Sequence, residues 1–374
     1  MDFLGLIGSY PKQRLLTDLE RDHWLDQKRR LNVEPHYQLS VIRSNSSYLE
    51  SVDKWFAWKG LLTAVGSIIA CIFVYGTFAV GLQSDGIPWN KMAAEDKFAQ
   101  IIFSMAIFLL SFPLIWLGIW LIKKESFAYT HYPIRFNYRS RLVHVFRTDG
   151  TTVSAPWEQV FFTLGHLKQW NEWEVRGHIL EPDRVTVRET FALSYVGSLN
   201  ATDADPGTME YSSEDFVRAH WEFVRRFMED GPESVLSQVR FCMPVDGRRE
   251  SFRVGAARVF ANFASAPIVL YWMMFPFCSI VSVFRWIAMR TSKVPQWPKD
   301  IEDDCEVDRN DPYAIKGAPD GERVAVFPEA ALAAGVRFCG PLCNSTTSSK
   351  KRDARTEGAK RLHKDLAKAE RERS

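Results

Sequence analysis

Gly60–Ser84, GLLTAVGSIIACIFVYGTFAVGLQS, and Phe98–Ile122, FAQIIFSMAIFLLSFPLIWLGIWLI, contain no charged residue. Each is longer than the roughly 20 helical residues needed to carry a chain through a bilayer core. Two such runs in succession with almost no polar face fit a soluble core poorly. Only Asp85–Lys97 separates them, which predicts a transmembrane helical hairpin over 60–124 closed by a short exposed turn.

Charge orients the hairpin. Lys54, Lys59, Lys123 and Lys124 flank it, with Arg14, Arg21, Lys28, Arg29, Arg30, Arg135, Arg139 and Arg141 farther out, whereas the turn sets two lysines against Asp85, Glu95 and Asp96. The positive-inside bias places both flanks in the cytoplasm. Phe3–Ile7 is too short for the h-region of a secretory signal, so the first span is expected to direct insertion. The segment 1–59 reads as an N-terminal cytoplasmic stretch. The formal charge of +2 belongs to the tail, because Lys350–Ser374 holds ten basic and five acidic residues. That balance gives no case for nucleic acid.

Beyond the hairpin the period changes. Ile134, Phe136 and Tyr138 alternate with Arg135, Asn137 and Arg139, and Leu142–Arg147 reads as a second strand ending at Thr148–Asp149–Gly150. Val160–Leu164, Trp173–Leu180 and Arg184–Tyr195 extend the pattern to a twisted antiparallel sheet. After the polar break Asn200–Pro206, Ser212 with Asp215 suggests a helix start. Phe216, His220, Phe223, Val224, Phe227 and Met228 then recur at helical spacing until Gly231–Pro232. A sheet with one apolar face needs such a cover. The fold class is therefore α+β: the hairpin, then a sheet-plus-helix domain over 130–250, pleckstrin-homology-like among the small folds that packing allows.

Val259–Phe284 is a third uncharged run, interrupted by Pro267 and Pro276 and flanked by arginines on both sides. Over 251–290 an in-plane or re-entrant helix keeps the tail inside, whereas a crossing carries it out; the basic residues that follow favour the first. Asp300, Glu302, Asp303, Asp304, Glu306 and Asp308 lack the order of an EF-hand loop and read as a solvated connector. The region 291–374 ends in a mixed-charge tail, where contact with anionic lipid is open.

No catalytic, cofactor-binding or metal-binding set is nominated. The histidines show no i, i+4 pair with glutamate, Ser194 and Ser198 lie in no Gly-x-Ser-x-Gly elbow, and there is no Walker A or Gly-x-Gly-x-x-Gly segment. His144 sits on a strand with a side chain that can point outward. Cys339 and Cys343 have no second pair beside them and read as two reduced thiols.

Four stretches stand out: Pro133–Ile134–Arg135–Phe136–Asn137, Val143–His144–Val145–Phe146–Arg147 followed by Pro156–Trp157, the run from His220 to Pro232, and Val294–Pro295–Gln296–Trp297–Pro298. Together they resemble the DUF6708 type of bacterial membrane protein. The resemblance implies a bacterial inner-membrane protein from type VI secretion or polymorphic-toxin loci. It carries no catalytic residue set. The expected partner is a protein, a cognate antibacterial effector, together with membrane lipid. Trp170, Trp173, Trp221, Arg225 and Arg226 are the candidate interface, since aromatic residues and arginine dominate many contacts. For these tryptophans, as for Trp157, burial in the core is an equal reading. The alternatives are a structural component of a secretion or envelope complex, and an enzyme acting on lipid through His144, His166, Glu172, His178 and Asp183.

Overall fold

The computed structural model describes residues 4–5, 7–38, 40–82, 93–167, 172–194, 213–236, 239, 242–261 and 268–314. The centre of the predicted turn, Trp170, the Asn200–Pro206 break, Ser212, Cys339, Cys343 and the charged tail lie outside them. The described chain is a mixed α+β fold with two antiparallel sheets and three long apolar helices.

The first sheet is ordered β1 (Arg14–Leu15), β10 (Thr186–Ala192), β9 (Glu172–Leu180), β8 (Val160–Leu167), β2 (Trp24–Leu25). The second is ordered β3 (Val41–Ser44), β4 (Tyr48–Ser51), β5 (Ile134–Asn137), β6 (Leu142–Phe146), β7 (Thr152–Pro156). The alternating segments after the apolar runs thus fall into two sheets, joined at the Trp157 turn. Four strands come from the first 59 residues, which the sequence alone sets apart. Strands of two and four residues carry too few alternations to be read locally, and pairing with distant partners stabilises them. In β4, Tyr48 pairs with Asn137 and Ser51 with Ile134 of β5.

Both sheets close on one core. The helix α4 (Ser213–Glu229) presents Val217, Trp221, Phe223, Val224, Phe227 and Met228 to it, all buried. The Trp157 ring stacks on Trp221 with centroids 5.7 Å apart and lies 5.0 Å from Phe162. Its indole N–H donates to Glu229 at 2.6 Å, so burying the ring leaves no orphaned donor. Truncating either tryptophan to alanine should cost about 3–5 kcal/mol. A capping box formed by Thr17 and Glu20 starts the short helix α1 (Asp18–Asp22).

The apolar helices are α2 (Leu61–Leu82), α3 (Ala94–Glu125) and α6 (Ile268–Thr291), the last preceded by α5 (Phe252–Ala261). Each of the three is long and apolar enough to cross a membrane. Their outer faces are apolar and exposed, including Tyr75, Phe78, Leu109, Leu110, Trp116, Val269 and Met273. The α2 and α3 backbones nearly touch, since a Cβ built on Gly66 would come within 2.5 Å of the Gly118 carbonyl oxygen. Such a crossing of small residues is how helices associate where no water drives them together. Within the helices, Thr77, Ser279 and Ser282 donate their hydroxyls to the carbonyls of Phe73, Phe275 and Cys278, satisfying polar groups internally.

The chain enters and leaves both helical units from the same domain. Val52 and Phe56 before α2, and Ile134 and Phe136 after α3, belong to the shared core. So do Met243 and Val245 before α5, and Met289 at the end of α6.

The acidic segment read as a solvated connector is instead docked. It forms α7 (Lys299–Asp304), whose Ile301, with Cys305 beyond it, is buried against Tyr48. Its acidic face meets Arg135 and Asn137, which is why composition alone mistook it for a free segment.

Candidate functional site

The five residues singled out for contact separate. Trp221 and Arg225 are buried, Arg226 is partly exposed, Trp173 is partly buried, and Trp170 lies outside the described residues. In α4, Glu222 ties the arginines together. It accepts from Arg225 at 2.8 and 2.9 Å, from Arg226 at 2.6 Å and from the Leu31 N–H at 3.1 Å. Burial disfavours this carboxylate, but the two guanidinium partners outweigh it and hold its pKa below the usual range. The node fastens the N-terminal segment to α4, so Trp221 and Arg225 serve packing.

Aromatic residues stand on both faces of the open edge of the first sheet, Trp24 with Phe161 on one and His166 with Trp173 on the other. Trp24 on edge strand β2 is 51% exposed and stacks with Phe161 at 6.3 Å and 18°. Trp173 stacks on His166 at 4.4 Å and lies 5.4 Å from His23, while Leu19 stands exposed on α1. Only Trp173 of this group was legible as a contact residue. Trp24 and His23 lie far from β8 and β9 in sequence, and the pairs Trp24–Thr163 and His166–Trp173 bring them together.

A second polar arrangement sits at the foot of the apolar helices. The Glu125 carboxylate accepts from the Gly60 N–H and Thr63 N–H at 2.7 Å each, and from Thr63 Oγ1 at 2.6 Å. It thereby caps the N-terminus of α2 from the last residue of α3. Lys59 donates to the Glu125 and Tyr129 carbonyls at 2.9 and 2.6 Å. Burial pushes its ammonium down to about 8, against the opposing pull of Glu125 and Asp53. Arg285 of α6 is fully buried. It bonds both carboxylate oxygens of Glu250, at 2.5 and 3.0 Å, and donates to the Phe56 carbonyl at 2.7 Å. Gly60, with φ of 99°, lies where a Cβ would come within 2.5 Å of the Arg285 backbone. These contacts lock α2, α3 and α6 to the sheets through one polar collar.

On the second sheet, His144, Asp304 and Cys305 converge, with donor atoms all within 4.8 Å of one another. Here the structure corrects the outward reading of His144, whose ring is covered by the docked acidic segment and by Trp297. Beside it Arg135 lies between the rings of Tyr48 and Trp297, at 4.4 and 4.8 Å, and donates from Nε and Nη2 to the single oxygen Oε2 of Glu50 at 3.0 and 2.8 Å. Two of the short stretches quoted above, around Arg135 and Trp297, thus meet in space.

The family of unknown function DUF6708 matches residues 111–309, more than half of the chain. The chain belongs to that family. The match covers β5–β10, α4–α7 and the C-terminal part of α3 from Ser111, while β1–β4, α1 and α2 precede it. For this DUF6708 chain, no curated protein and no solved structure matches.

Proposed function

We propose that the chain is a membrane-anchored protein-binding protein, an immunity or adaptor protein whose partner is an antibacterial effector. The supporting observation is the aromatic edge formed by the exposed Trp24 and His166 with the half-buried Phe161 and Trp173, on a domain that the collar ties to three apolar helices. An edge strand flanked by stacked aromatics offers backbone pairing and large, stiff contact surfaces at once. That the partner is an effector rests on the resemblance to DUF6708 proteins of toxin and secretion loci. Two sheets closed by an amphipathic helix suit a pleckstrin-homology-like domain, a scaffold that holds its contacts on rigid strands.

The anchoring follows from chain entry and exit. Because β4 pairs with β5 across the first two apolar helices, the segments before and after them share one side, and α2 and α3 cross as a hairpin. The same reasoning makes α5 and α6 a re-entrant unit that returns to the domain. Basic flanks place that side in the cytoplasm of the bacterial inner membrane. Topology reporters after Pro232 and after Ser345 should both read cytoplasmic; opposite readings would overturn the re-entrant assignment.

Coexpression with the neighbouring candidate toxin, affinity capture and a growth-protection assay test the function. Trp24→Ser and Trp173→Ala should each weaken capture at least tenfold while the protein remains membrane-inserted. Failure of both capture and protection refutes the immunity role. The third apolar unit, more than a tether needs, supports a second reading as a structural component of a secretion or envelope complex. In that case deletion should impair assembly even in a strain lacking the toxin.

A further inference from the structure

The cluster of His144, Asp304 and Cys305 is unused by the proposed partner surface, and its geometry points to a ligand. His144 is 2% exposed, and its Nε2 is a buried atom without a hydrogen-bond partner, 3.6 Å from Asp304 Oδ2. An orphaned ring nitrogen in this setting costs free energy unless something fills its lone pair. The other ring nitrogen, Nδ1, lies 2.7 Å from Ser154 Oγ. Donation from Nδ1–H to that hydroxyl leaves the Nε2 lone pair directed at Asp304 and Cys305, the tautomer in which histidine binds metals.

We propose that His144 Nε2, an Asp304 carboxylate oxygen and Cys305 Sγ form a binding site for a divalent transition-metal ion of the zinc type. One nitrogen, one oxygen and one sulfur ligand suit a borderline cation, and three protein ligands leave a fourth position for water. A tetrahedral zinc with bonds of about 2.0–2.3 Å holds its ligands about 3.3–3.8 Å apart. The His144–Asp304 separation already falls in that range, and the remaining spread within 4.8 Å closes by small side-chain rotations. The ligands are pre-set. Asn137 Nδ2 donates to Asp304 Oδ2 at 2.9 Å and reaches Cys305 Sγ at 3.4 Å, and Ser140 Oγ donates to Asp304 at 2.8 Å.

Electrostatics permits a cation despite Arg135 beside Cys305. The guanidinium is already matched by Glu50 at 2.8 Å and Glu302 at 3.1 Å, and Asp300 and Asp304 add further negative charge toward His144. Coordination exchanges the Cys305 thiol proton for the cation, and that proton leaves to solvent past the partly exposed Asp304. Metal binding would then staple α7 onto the second sheet.

The test uses the full chain purified in detergent micelles, carrying Cys339→Ser and Cys343→Ser so that this second cysteine pair cannot answer. After metal depletion, Co2+ is titrated as the probe. One ion per chain should bind, with a near-ultraviolet thiolate-to-cobalt band and visible bands of four-coordinate cobalt, all displaced by Zn2+. Cys305→Ser should abolish the charge-transfer band. Asp304→Asn and His144→Gln should each weaken binding at least tenfold, and Asn137→Ala about 10–100-fold. Absence of stoichiometric binding, or an unchanged band in Cys305→Ser, overturns the site. If His144→Gln fails to fold, the nearly isosteric Cys305→Ser and Asp304→Asn decide alone.

Discussion

Replacing Arg285 with alanine strips the collar of its central cation. Glu250, itself 2% exposed at the side chain, would keep a buried charge without its bidentate partner. The Phe56 and Lys59 carbonyls would lose their donor, and the Phe56 ring its cation at 4.7 Å. Breaking a buried pair from one side costs about 3–5 kcal/mol, because the surviving charge is stranded. Removing both charges together, as in Arg285→Met with Glu250→Gln, strands neither partner of the pair and should recover about half of that loss or more. Thermal unfolding of the full chain in micelles, followed by tryptophan fluorescence, reads the difference. At about 2–4 °C per kcal/mol for a domain of this size, Arg285→Ala should lower Tm by about 6–20 °C, with the double variant intermediate. A single variant within about 2 °C of the parent refutes the pinning role of Arg285, as does a double variant no more stable than the single one.

Glu125→Ala should destabilise by about 1–3 kcal/mol, since it strands the N–H groups of Gly60 and Thr63, and Glu125→Gln by less; proteolysis at the foot of α2 would report it. Gly118→Val forces the α2 and α3 backbones apart, because even a Cβ there meets the Gly66 carbonyl oxygen at 2.6 Å; a loss of about 1–3 kcal/mol is expected, read by unfolding in micelles. Burial pushes His220 down to about 4 and His131 down to about 3, so both fold neutral while the unfolded chain takes up protons below its ordinary value of 6.5. Stability should therefore fall as pH drops from about 6.5 to 4, by up to about 1.4 kcal/mol per pH unit for each histidine. His220→Gln should flatten that slope in pH-dependent unfolding, and an unchanged slope would exclude His220 as its source.

What the sequence determined by itself is local. Uncharged runs of bilayer length marked α2, α3 and the third apolar region, because every residue in them reports the same solvent preference. Period-two alternation marked β5, β6, β8, β9 and β10 but not the five-residue β7, and helical spacing marked α4, since each burial face repeats along a single element. The short stretches from Pro133 to Pro298 marked the family. Tertiary structure decided the rest, because it depends on partners far apart in the chain. Pairing of β4 with β5, on either side of α2 and α3, turned Tyr48–Ser51 into a strand, and the shared core buried Trp221 and Arg225. Docking of α7 set Asp304 and Cys305 against His144 across about 160 positions, and edge pairing placed Trp24 beside Phe161. A charged residue reads as solvent-facing until its counter-charge is located, and only the folded chain locates it. Arg135, Arg285, Glu125 and Glu222 show why: each is buried because a distant segment supplies the hydrogen bonds that make its burial tolerable.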